Sequence, residues 1–116
     1  MSLDSWISEW KEGYCPGVEI SIAYGRLSGD LLGNTHYVKS GQRYNSAITV
    51  NVAFENDPFT SYVIAWHEFA HAWAKYETSI GGHGKEWIVR WMRRPLMTIP
   101  AYIIILPNVI RRMATV

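Results

Sequence analysis

The chain has almost no cysteine. Cys15 stands alone, so no intrachain disulfide can form, and a lone thiol suits a reducing, cytoplasmic setting better than secretion. Neither sign of charge is in excess. Eleven Lys and Arg face ten Asp and Glu, a net charge of +1, so no strong field draws the chain to nucleic acid or to an anionic membrane. Met1 to Trp6 carry neither a basic n-region nor a long apolar run, so no signal peptide is expected. The most apolar stretch, Ile99 to Leu106, is too short to cross a bilayer and reads as a buried strand or short core segment. Internal repeats and low-complexity segments are lacking as well.

Apolar and aromatic residues are plentiful. Of the 116 residues, 48% are apolar, and six Trp and seven Tyr provide large surfaces to bury. That is enough for one domain, spanning 1–116, to fold around one core.

Leu3, Trp6, Ile7 and Trp10 recur at helical spacing ahead of Gly13, which predicts a short helix over 3–12. The period then falls to two. Val18, Ile20, Ile22 and Tyr24 alternate with Glu19, Ser21 and Ala23 as a half-buried strand. A weaker strand follows around Thr35 to Lys39, and the clearest one runs from Ala47 to Phe54. The turn-rich links between them suggest an antiparallel meander, and the whole an α+β chain. Asp57 and Pro58 open a helix reaching about Thr78, which Gly81 and Gly82 end. A further helix is expected from His83 to Arg94, with Trp87, Ile88, Trp91 and Met92 inward and Lys85, Arg90 and Arg93 outward, stopped by Pro95. Leu96 to Val116 reads as a strand and then one helical turn around Val109 to Met113.

The chemistry lies in His67-Glu68-Phe69-Ala70-His71, an H-E-x-x-H motif inside the long helix. Residues four apart on a helix are about 40° apart around its axis, so both imidazoles can share one ion. Glu68 points about 100° away from His67. It is therefore placed as a general base rather than as a ligand. A catalytic zinc site takes a third protein ligand and keeps one position open. Glu77 faces away if the helix continues to it, and Glu86 is conceivable. His83 is the best placed, flanked by Gly82 and Gly84 where the chain reverses. Ordinary core or surface histidines also occur at i, i+4. Three of the four His, however, fall between positions 67 and 83, and in a buried helix such a cluster would leave polar groups unpaired without a metal. His36, on the weak strand, is read as structural or surface.

These residues resemble the SprT-like family of zinc metallopeptidases, which includes the Spartan proteases. The resemblance rests on H-E-x-x-H-A, here His67 to Ala72, followed after a Gly-containing loop by H-G-x-x-[FW], here His83 to Trp87. It covers about residues 45–94. It implies a zincin-like domain, with a small antiparallel or mixed sheet of three to four strands against the motif helix and the helix after it. It further implies one Zn2+ on His67, His71 and His83, with Glu68 as the catalytic base of a peptide hydrolase. Metzincins differ, since Ala74 and Glu77 occupy the places of their Gly and third His. The four-Cys zinc ribbon of many members is absent from a chain with one cysteine. Action on DNA-associated proteins is implied by the family alone. Lys85, Arg90, Arg93 and Arg94, with Arg111 and Arg112 nearby in sequence, offer a basic patch, although an ordinary solvated helix face is the expected reading.

The expected activity is zinc-dependent endopeptidase hydrolysis of a protein or peptide substrate. Tyr76, Tyr102 or His36 is a candidate extra oxyanion donor, and the Ala47 to Phe54 strand a candidate edge for an extended substrate. Two rivals stand beside it. One is a non-proteolytic zinc-binding module for DNA or protein; the other is a zinc hydrolase acting on a different amide or ester.

Overall fold

A computed structural model describes residues 2–93. Among them the chain forms a small α+β fold of three helices and a three-stranded mixed sheet. Helix α1 (Leu3–Tyr14) starts at a reciprocal Ser2–Ser5 capping box and buries Leu3, Trp6, Ile7 and Trp10. It runs two residues past the expected end, which carries the Tyr14 ring to within 4.7 Å of Trp73.

Strands β1 (Ile20–Gly25), β2 (Gly33–Ser40) and β3 (Arg43–Asn51) lie in the order β1-β3-β2. The expected meander is therefore wrong. β2 and β3 form an antiparallel hairpin, but β3 returns between its two predecessors and pairs with β1 in parallel. The segment joining β1 to β2, residues 26–32, is the physical reason. It is long enough to step across two strand spacings of about 4.8 Å each, and it is tied to the end of β3. The Asn51 amide nitrogen donates to the Leu32 carbonyl, and Asn51 Nδ2 donates to that of Leu31. Asn51 also ends β3 earlier than the sequence pattern suggests. Its side chain accepts from the Ala53 amide and turns Val52–Phe54 into a 3-10 turn. With β3 in the middle, both its edges are paired, so the expected docking of substrate on this strand is excluded. Of the two edge strands, β2 is the one that packs against the motif helix.

Helix α2 (Pro58–Thr78) has Asp57 as its cap and Pro58 in its first turn, as expected, and every residue from Thr60 to Ala74 is buried. One side packs on α1, where Trp10 meets Trp66 and Tyr62 edge-on at 5.1 and 5.2 Å. The other side lies against β2, β3 and α3. Ser79 ends the helix in the left-handed conformation, and Gly82, at φ +82°, completes the reversal.

Helix α3 (Lys85–Trp91) is shorter than the expected His83–Arg94 helix, because Gly84 is its N-cap and His83 stays in the loop. Its inward side also differs. Ile88 and Met92 are exposed, whereas Trp87 and Trp91 stack at 5.5 Å and Arg90 is drawn inward. Arg90 reaches Glu77 at 3.0 Å and Glu86 at 2.9 Å and lies over the Trp73 ring. Two acids and an indole outweigh the apolar pattern of a helix this short. The strand and turn expected in 96–116 lie outside the described residues.

Candidate metal centre

Three imidazoles meet at one point. The Nε2 atoms of His67 and His71 are 3.3 Å apart, and each stands 3.1 Å from Nε2 of His83. Two come from adjacent turns of α2 and the third from the loop past Gly82. His67 and His71 are buried, and His83 is exposed. Three mutually close ring nitrogens cannot all be satisfied by one another, because a neutral imidazole has one N–H and one lone pair. Together these rings can hold a metal ion.

The two buried rings are also in the right protonation state to do so. Burial first, and then the neighbouring His71 and His83, push the His67 imidazolium down to about 3. His71 is lowered to about 4, chiefly by burial and then by His83, against an opposing pull from the Gly82 carbonyl. That carbonyl falls short of a hydrogen bond, since His71 Nδ1 is buried without a partner. Neutral rings present lone pairs.

Trp87 braces the cluster. Its indole N–H donates to the His67 carbonyl at 3.1 Å, and its ring centre lies 4.7, 5.4 and 4.9 Å from those of His67, His71 and His83. The sequence marks Trp87 as a core residue. Its place against all three imidazoles becomes visible only in the fold.

Glu68 is beside the trio but not in it. Its Oε2 lies 3.7 Å from His67 Nε2. Since that imidazole is neutral, this marks proximity rather than an ion pair. Oε1 accepts the Thr35 hydroxyl at 2.8 Å. Burial raises the carboxyl to about 7, and the Thr35 hydrogen bond partly opposes the rise. Gly33 allows this close packing. A Cβ there would lie 2.7 Å from Ile64 Cγ2 and 3.1 Å from Glu68 Cγ, so β2 lies flush on α2 only with glycine at that position.

The remaining candidates separate cleanly. Glu77 and Glu86 are both engaged by Arg90. Among the described residues, no fourth donor joins the three His. Cys15 is buried and its thiol is pushed up to about 12, mainly by burial and then by Glu77, so it is not a thiolate. His36 is exposed on the opposite face of β2 from Thr35. Tyr76 has its hydroxyl against Gly17 and its ring under Arg43. Tyr102 lies outside the described residues. A tyrosine not singled out in the sequence lies within electrostatic reach of Glu68. Tyr37 shares the Gly33–Thr35 face of β2, and its hydroxyl approaches Gly81 on the loop to His83. It titrates above its ordinary range because of burial and then the Glu68 charge. Thr35 and Tyr37 were hidden in the weakest strand, where only their alternation hinted that they share a face.

Among the described residues, no helix is long and apolar enough to cross a membrane. Comparison with protein-family models, with curated proteins and with solved structures found no match.

Proposed function

We propose that the protein is a zinc-dependent peptidase, with His67, His71 and His83 as the zinc ligands and Glu68 as the general base. One observation carries this reading: three imidazoles, two of them buried, converge beside a separate buried carboxyl that is not among the ligands. Tetrahedral nitrogen ligands about 2.0–2.1 Å from zinc stand about 3.3 Å from one another. The separations of 3.1–3.3 Å fit that arrangement. A zinc ion held there would supply Lewis acidity, acidifying water and polarising a carbonyl.

The chain's own residues do the rest. Glu68, raised to about 7, is matched to accept a proton from the attacking water near neutral pH and return it to the leaving amine. Tyr37 is the candidate donor to the developing oxyanion, in place of Tyr76 or His36. Among the described residues the outer edge of β2 is unpaired, and it offers backbone groups to an extended peptide.

The test is hydrolysis of a denatured protein such as casein by the zinc-loaded chain, with small amide and ester substrates run in parallel. Glu68→Gln should keep one zinc and lose turnover by about 10²–10⁴-fold. Full turnover in that variant would remove Glu68 from its role. Zinc binding without any hydrolysis would favour the interaction-module reading.

A further inference from the structure

The two oxygens of the Glu68 carboxylate have different surroundings, and the difference is built by a strand rather than by the motif helix. Oε1 is tied to Thr35 at 2.8 Å, while Oε2 lies 3.7 Å from the Nε2 of His67. The Thr35 hydroxyl also approaches the Glu68 carbonyl at 3.3 Å, the longer and weaker of its two contacts. Thr35 is itself held in place. It is paired with Ile48 in the antiparallel ladder, and its branched side chain is stiff at χ1. Two residues earlier, Gly33 brings the backbone against the Glu68 side chain, with Oε2 3.2 Å from where a Cβ would stand. A glutamate on a helix ordinarily moves among several rotamers. Here the sheet removes that freedom.

We propose that Thr35 is the positioning residue for the general base, anchoring Oε1 so that Oε2 alone exchanges the proton, and that Gly33 is the close-packing partner that makes this anchor possible. The inference rests on the peptidase reading above and adds to it. The H-E-x-x-H helix by itself does not fix which carboxylate oxygen works, and β2 does. Misplacing a reacting group by about 1 Å costs about a hundredfold in rate, which sets the effect expected from losing the anchor.

The experiment compares Thr35→Val, which keeps the shape and removes the hydroxyl, with Thr35→Ser, which keeps the hydroxyl. Zinc-loaded full-length protein is assayed on casein, and its affinity for a peptide hydroxamate, a chelator that shares a proton with the base, is measured by calorimetry. Thr35→Val should bind one zinc, lose about a hundredfold in kcat with KM within about twofold, and bind the hydroxamate about tenfold more weakly. Thr35→Ser should recover most of both. If Thr35→Val does not fold, Thr35→Ala carries the same expectations. Wild-type turnover and hydroxamate affinity in a hydroxyl-free variant, with Glu68→Gln inactive, would overturn the anchor and leave the peptidase reading standing. A zinc-loaded wild type that cleaves nothing would overturn both.

Discussion

On one side of α2, Trp66, Phe69 and Trp73 pack into an aromatic cluster with Trp10 and Tyr14. On the other, His67, Glu68 and His71 are buried almost as deeply, yet two imidazoles are forced neutral and a carboxyl is pushed to about 7. The first side is stabilised mainly by contact area, with the Trp66 indole N–H donating to the Trp91 carbonyl at 2.8 Å. The second holds ionisable groups out of water at a free-energy cost that its own hydrogen bonds do not offset. A helix buried all round thus divides into a face that supports the fold and a face whose cost makes sense only with a ligand.

That contrast can be broken from either side. The largest effect is expected from Trp10→Ala, which removes the ring at the centre of the aromatic cluster and should cost about 3–5 kcal/mol in denaturant unfolding of the metal-free protein. Whatever fraction stays folded should still take up zinc at wild-type stoichiometry. His83→Ala should do the reverse. Its ring is exposed, so metal-free stability should hardly change, while zinc affinity falls by more than a hundredfold, beyond what a supporting contact alone controls. Unchanged zinc affinity would require a different third ligand.

Acid separates the two sides more finely. His67 and His71 titrate lower in the fold than in the unfolded chain, so the metal-free protein loses stability as pH falls below about 6.5. Glu68 is raised and works oppositely, adding stability as pH falls from about 7 toward 4.5. Between pH 7 and 5 each imidazole costs about 2 kcal/mol and Glu68 returns about 2 kcal/mol. Metal-free Glu68→Gln should therefore be about 2 kcal/mol more acid-sensitive than the metal-free wild type, as thermal melts across that range would reveal. Parallel pH profiles would contradict the burial assigned to Glu68. The smallest effect is expected from Tyr37→Phe. It should lower kcat about tenfold with little change in KM, since a donor to the developing oxyanion acts mainly on the transition state; an unchanged kcat would remove Tyr37 from the site.

Much of this was legible in the sequence. The His67–His71 spacing, the Asp57-Pro58 start and the Gly81-Gly82 break placed two imidazoles on one helix and a third just past the chain reversal. Periodicity also located all three strands. It could not order them, because alternation fixes the face of a residue and says nothing of its neighbour strand. The error put β3 at an edge, where it was offered as a substrate platform, and left β2 unexamined. Consequently Thr35, which meets Glu68 from the sheet, and Tyr37 on the same face of β2 were passed over. The inward turn of Arg90 was hidden for a related reason: its partners Glu77 and Glu86 lie on separate helices, and only the reversal at Gly82 brings them together.

The most direct test is a calorimetric zinc titration of the chelator-stripped chain beside His67→Ala, His71→Ala and His83→Ala. One tightly bound ion per wild-type chain, greatly weakened by each of the three substitutions, is the expected result. No uptake by the wild type, or uptake that survives loss of any one of these rings, would contradict a single centre built from all three.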